Sequence, residues 1–293
     1  MAMPLPVLPH LHDGRVEIAV IAIDLSPVRS HLLDALLYSL RAATRRNPLR
    51  IRLIGDKNCH PFAKRHGIEH VVSPGDILDA DSDFGSLPNW YLEQLIALAY
   101  PAEHAAGFVL MLPIGAFAIA PLTEANLLPD GLALTTYEPV DLHPEWWAWA
   151  HAATGRTPLS QWSGPSILPA LVHSDLAAWT LDVVGREQQQ SPLAFLRQAS
   201  AEAQPWSALS LYATASGSRF ARMHMDAKHA DDHGSYQLLS RAMLWSASQE
   251  ATFDPAAAHR LGDRGMFSYV QSSEAANLDR VLDRLYCSLN LEG

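Results

Sequence analysis

The chain has 293 residues, 48% of them hydrophobic and 18% charged, and a net charge of -10. This suits one large α/β domain or two small ones with a sizeable core, and it argues against a nucleic-acid backbone as the main partner. The first residues lack a signal-peptide pattern, and no stretch approaches ~20 clean apolar residues, so a cytoplasmic protein with no transmembrane segment is expected.

Residues 1–14 are proline-rich and read as an irregular lead-in. Val16 to Ile23 is rich in β-branched residues and predicts a first strand, ending at Asp24 with a turn at Ser26-Pro27. A helix is expected over His31 to Arg46, capped by Ser26 or Ser30, with Leu32, Leu36, Leu37 and Leu40 in one stripe. A second strand (Ile51 to Ile54), a short helix (Pro61 to His66) and a third strand (Ile68 to Val72) follow. This β-α-β-α-β order is that of a nucleotide-binding half-sheet with right-handed crossovers. Cys59 and Cys287 sit in no metal-ligand spacing and read as two ordinary reduced thiols. The loop from Ser73 to Pro88 carries Asp76, Asp79, Asp81 and Asp83. Asp81-Ser82-Asp83 is formally an Asp-x-Asp, but it precedes a helix rather than ending a buried strand, so it is read as an acidic loop.

The helix expected from Asn89 places Trp90, Leu95, Leu98 and Ala99 on one stripe and is expected to stop at Pro101. Phe108 to Leu112 is a continuous apolar run, as in a central strand buried on both faces. Pro113, Ile114 and Gly115 break it. In open α/β sheets ligands bind beyond such strand ends, so this is the first place to look for a site.

Further on, Leu132 to Tyr137 predicts a strand. In the run Pro144 to His151, Trp146, Trp147 and Trp149 lie too close to share one helical face; some of them packing in the core and another lining a cleft is one reading, a core or interface cluster the other. Ser163 to His173 reads as loop and strand, Asp175 to Val184 as a helix capped by Ser174 or Asp175, and Pro192 to Ala203 as another helix. His224, His229 and His233 gather with Asp226, Asp231 and Asp232; without a strict metal motif they read as a solvated polar loop, although such residues can ligate a divalent ion. Phe267 to Gln271 predicts a late strand and Asn277 to Leu289 a last amphipathic helix.

The segment Asn89-Trp90-Tyr91-Leu92-Glu93-Gln94-Leu95-Ile96-Ala97-Leu98 resembles a bacterial glycosyltransferase family of the nucleotide-sugar-binding GT-A fold. That family has a Trp-Tyr-x-Gln-Gln-Leu helix, then a strand ending in a metal-binding Asp-x-Asp. Val109-Leu110-Met111-Leu112 matches the strand, but Pro113-Ile114-Gly115 stands where Asp-Ala-Asp would be. Ser207, Leu211 and Tyr212 match a second family pattern, whose two glutamates are replaced by Ala208 and Ser210. Phe267 to Ser273 is similar to the family's late strand, so the resemblance runs from about Val16 to Leu285.

The resemblance implies a GT-A-like, Rossmann-type mixed sheet flanked by helices in a single domain. Residues 15–137 would form its nucleotide-binding half and 138–293 its acceptor-binding half. It implies a glycosyltransferase taking a nucleotide-sugar donor and a sugar or small-molecule acceptor, with no cofactor indicated and a divalent metal left open. The lost Asp-x-Asp leaves two readings: a metal-independent transferase, or a catalytically inactive relative that binds a sugar, nucleotide or protein partner. Asp24 and Asp56, at strand ends, would face base or ribose, or else serve as turn aspartates. Arg29, Lys57 and Arg65 would neutralise a diphosphate. Trp90, Gln94, Pro113 and Gly115 complete the donor-site candidates. Glu138, Asp141 and Asp175 are the carboxylates that would serve as general base, with His143, His151 and His173 as other candidates.

Overall fold

The computed structural model describes residues 16–78, 86–157, 163–165, 167–226, 236–271 and 277–289. The N-terminal segment 1–14, Asp79, Asp81-Ser82-Asp83, His229, Asp231, Asp232, His233, Ser272 and Ser273 lie outside the described residues.

Five strands form the main sheet: β1 (Val16–Ala22), β2 (Arg50–Gly55), β3 (Val71–Val72), β4 (Phe108–Pro113) and β9 (Ala170–His173). Their order is β3-β2-β1-β4-β9, with the first four parallel and β9 antiparallel to β4. β4 is buried along its whole length and β1 at every residue but Glu17, as expected of strands covered on both faces. The expected Rossmann-type mixed sheet flanked by helices is the architecture found, and β9 joins residues after 137 to the first half's sheet. The numbering of the remaining strands is β5 (Ala116–Ala118), β6 (Ala133–Thr135), β7 (Glu138–Pro139), β8 (Ser163–Gly164), β10 (His224–Asp226), β11 (Gln237–Leu244) and β12 (Gly265–Val270). β11, β12 and β5 form a second sheet that carries the chain over the end of β4.

Helix α1 (Pro27–Ala43) begins four residues before the expected His31. Ser26 Oγ accepts from Arg29 N at 3.3 Å and Pro27 takes a first-turn position, where its missing N–H costs nothing. After α2 (His60–Arg65) and α3 (Pro74–Leu78), α4 (Asn89–His104) runs through Pro101 rather than stopping there. A proline removes one backbone donor, but Tyr100 and Pro101 are buried, the Tyr100 ring stacks on His104 at 5.8 Å, and its hydroxyl donates to Glu17. Packing therefore holds the last turn. The short α5 (Glu124–Leu127) precedes α6 (Pro144–Thr154), α7 (Ser174–Gln188), α8 (Pro192–Ala201), α9 (Ala208–Ser216) and α10 (Ser218–Met223). The cap of α7 is His173, whose Nδ1 accepts from Asp175 N at 3.2 Å, rather than the expected Ser174 or Asp175. No helix among the described residues is long and apolar enough to cross a membrane.

Candidate functional site

The strand order places a topological switch between β1 and β4: from β1 the chain turns one way to β2 and β3, then returns to the other side as β4. Ligands of open α/β sheets bind at the carboxyl ends of strands around such a switch. Here those ends are Asp24 after β1, Asp56 after β2 and Pro113 at the end of β4.

Asp24 is exposed and takes a left-handed backbone, φ +52°, which Asp tolerates better than most residues. Its Oδ2 accepts from Asn89 Nδ2 at 2.7 Å, so its carboxylate is aimed by the start of α4 rather than by its own turn. Asp56 does serve its own turn: Oδ1 accepts from Asn58 N at 2.8 Å and Oδ2 from Asn58 Nδ2 at 3.0 Å. Each oxygen keeps a further lone pair for a ligand hydroxyl. Beside it opens a cleft of about 440 Å³, lined by Gly55, Asp56, Lys57, His60, Val71, Ser73 and Asp76. Its floor needs a glycine: a Cβ on Gly55 would overlap Cys59 Sγ and Ala22 O. Cys59 is buried there, donates to Ala22 O at 3.3 Å, and has its thiol pushed up to about 12, chiefly by burial. It is a buried packing group under Gly55, not a nucleophile.

At the β4 end the crevice is closed. Pro113, Ile114 and Gly115 are all buried. Gly115 has φ +103°, its oxygen accepts from Val270 N at 2.9 Å, and a Cβ there would overlap Val270 O. None of the three offers a side-chain oxygen, so this position does not suit a divalent cation. Among the described residues, no group of three or more His, Cys, Asp or Glu is placed to hold a metal ion.

Arg29 does not present a free charge. It pairs with Glu93 at 3.1 Å, with side-chain exposures of 17% and 14%, and its Nε is buried without a partner. Burial raises the Glu93 pKa above its ordinary value, and Arg29 pulls it back only in part. Tyr269 of β12 belongs to the same neighbourhood: burial, then Glu93, pushes its hydroxyl up to about 12. Its ring lies 4.7 Å from that of Trp245, which is exposed.

The three tryptophans of α6 take different surroundings. Trp147 is buried against Gly164, and Trp149 stacks on Phe195 and Trp206 at 5.6 and 5.8 Å. Trp146 instead stacks on the 38%-exposed Trp90 at 5.6 Å and on His143 at 3.8 Å. Trp90 follows Asn89, the residue that bonds Asp24. Asp141 lies in the turn that leads into His143, and Glu138 lies in β7, paired with β8 beside Trp147.

Other candidates are placed elsewhere. Gln94 is 2% exposed, and its Oε1 accepts from Ala208 N at 2.8 Å, satisfying a first-turn donor of α9. Two of the stretches that carry the family resemblance thus pack on each other, with Tyr91 stacked on Trp206 at 6.2 Å. Arg65 pairs with Asp34 at 2.8 Å. Asp175 follows His173, which pairs with Phe108 at the amino end of β4. It therefore lies at the opposite edge of the sheet from Asp24 and Asp56. His151 bonds Arg156 O through Nδ1 at 2.7 Å. Sequence reasoning passed over Asn89, Glu93, His60 and Ser73. Asn89 and Glu93 stood in the family-like helix and were legible only as helix residues.

No curated protein sequence matches the chain. Among solved structures, it is similar to a galactosyltransferase, LgtC, solved with donor and acceptor sugar analogs: 14% identity, TM-score 0.45, covering 92% of this chain and 95% of that one. It is also similar to glucosyl-3-phosphoglycerate synthase from Mycobacterium tuberculosis, solved with Mn²⁺, uridine-diphosphate and glucosyl-3-phosphoglycerate: 10% identity, TM-score 0.34, covering 73% and 74%. Residues 57–290 match the model of a family of unknown function, DUF6492, and the chain belongs to that family.

Proposed function

We propose that the chain is a glycosyltransferase-like protein that takes a nucleotide-sugar donor at the carboxyl ends of β1 and β2, without the usual Asp-x-Asp metal site. One observation carries this reading: the Asp24 carboxylate, aimed by Asn89, and the Asp56–Lys57 cleft lie at the carboxyl ends of the adjacent parallel strands β1 and β2. Carboxylates there accept from ribose hydroxyls or a base N–H. The exposed Lys57 offsets diphosphate charge, and the apolar C–H face of a sugar stacks on an indole. Glu138 and Asp141, on the segment leading to Trp146, are the carboxylates proposed to reach an acceptor hydroxyl.

A second reading, a relative that binds the donor without transferring sugar, is favoured by the Arg29–Glu93 pair and the buried Pro113-Ile114-Gly115. Both remove charges that would stabilise a departing diphosphate. The test is a thermal-shift screen of nucleoside diphosphates and nucleotide sugars with Mn²⁺ or EDTA, followed by assay of nucleoside diphosphate release. A shift unaffected by EDTA, with release, supports the transferase. A shift without release supports the binding relative. No shift with any nucleotide overturns both.

A further inference from the structure

Away from the strand ends, three arginines gather round one indole. Trp179, half-buried on α7, has the guanidinium carbon of Arg219 3.9 Å from its ring centroid, that of Arg186 at 5.2 Å and that of Arg156 at 5.4 Å. The three come from separate places in the chain: Arg156 follows Gly155, the C-cap of α6; Arg186 is on α7, two turns past Trp179; Arg219 is in α10. Their meeting point is held by Ala215 O, which accepts from Trp179 Nε1 at 3.1 Å and from Arg156 Nη1 at 2.9 Å.

The charges do not balance. Arg186 pairs with Asp182 at 2.8 Å. Among the described residues, no carboxylate lies within ion-pair distance of Arg156 or Arg219. The Glu187 carboxylate sits over Gly155 but outside that range. The face of a single ring attracts one cation well, and it cannot offset the mutual repulsion of three. Burial first, then Arg186 and Arg219, pulls the Arg156 pKa below its ordinary value. In a chain of net charge -10 with only 21 Lys and Arg, this convergence calls for an anion.

We propose that Arg156, Arg186 and Arg219 form a binding site for a phosphate group, with Trp179 as its platform. Guanidinium forks approaching from three elements suit an ion with several oxygens, whereas a carboxylate has only two to share. The phosphate belongs to a soluble phosphomonoester or to a lipid headgroup, which share this chemistry. The site is separate from the donor crevice. Ala215 lies one turn past Tyr212, whose hydroxyl accepts from His173 N at 3.0 Å at the amino end of β4.

The experiment is calorimetric titration of inorganic phosphate into the full chain at constant ionic strength, with chloride as the control. Lys57→Ala serves as background, so that the strand-end cleft does not contribute. Saturable binding is expected, weakened about tenfold or more by Arg219→Gln or Arg156→Gln, the usual effect of losing a charge-assisted hydrogen bond. In phosphate-free buffer Arg219→Gln should melt no lower than the background protein, because a like-charge repulsion has gone. If the cluster were only packing, that variant would melt lower. No saturable binding, or equal binding in Arg219→Gln, overturns the site. Retention on vesicles containing phosphatidate, lost in Arg219→Gln, assigns a lipid headgroup. Phosphate binding without vesicle retention assigns a soluble ligand.

Discussion

Asn89 Nδ2 donates to Asp24 Oδ2 at 2.7 Å across 65 residues of chain, fastening the start of α4 to the end of β1. The bond sets the direction of a carboxylate that would otherwise swing in solvent. Asp24→Asn should therefore weaken nucleoside diphosphate binding about tenfold or more. Asn89→Ala should weaken it less and cost about 1 kcal/mol of stability. Calorimetry and urea unfolding check both, and wild-type affinity in both variants would remove Asp24 from the site.

Restoring an aspartate at the end of β4 should not create a metal site. Gly115→Asp puts a side chain at φ +103° onto Val270 O, and a charge into a buried position. A loss of roughly 3 kcal/mol or more is expected, with no gain in Mn²⁺ binding. Thermal unfolding with and without Mn²⁺ reads this out; a well-folded variant stabilised by the ion would contradict it.

The Arg29–Glu93 pair makes stability depend on pH. Burial holds the Glu93 pKa above its ordinary 4.5, so the folded state keeps a proton that the unfolded state has lost. That contribution is complete below 4.5 and disappears as pH rises through the raised value. In Arg29→Met the offsetting cation is gone, so the pKa rises further and the loss at neutral pH deepens, by about 3–5 kcal/mol for an orphaned buried charge. Urea midpoints from pH 4 to 8 should show the variant closest to wild type at the acid end. A pH-independent difference would argue against the pair.

His224 works in the other direction. It is buried, with Nδ1 3.2 Å from Phe220 O and Nε2 3.2 Å from Leu171 O. Those carbonyls favour a charged ring, but burial outweighs them and pushes its pKa down to about 4 from 6.5. The unfolded state then binds the extra proton first, so stability should fall as pH drops from about 6.5 to about 4. Titration of the ring by NMR checks the assignment, and His224→Gln should flatten that part of the stability profile.

Gln94→Leu tests the reading of the family-like helix as structure. The Ala208 N–H loses its acceptor in a buried place, which should cost about 1–3 kcal/mol. Nucleotide binding by the folded fraction should be unchanged. A loss of affinity with intact stability would return Gln94 to the donor site.

Apolar runs and turn residues were enough to read β1, β2 and β4 and the crossovers between them. Central strands are buried on both faces and are apolar at nearly every residue, so Val16 to Ile23 and Phe108 to Leu112 read as strands, within a residue of those found. The strand-end location of Asp24 and Asp56 followed from the same pattern. The stretch from 236 to 266, with β11 and the helix Pro255–Arg260, carried no comparable pattern and went unread.

What the sequence by itself determined was the sheet and the edge of it where a site could form, because local periodicity reports which faces are buried. Only the tertiary structure decided which charges stay available there. Glu93 occupies Arg29, Ala208 occupies Gln94, and β9, running antiparallel, carries Asp175 to the far end of the sheet. The second sheet seals Pro113-Ile114-Gly115. Each of these is a pairing between distant residues whose strength depends on burial and on a separation of a few ångströms, and neither is written in the spacing of residues along one segment.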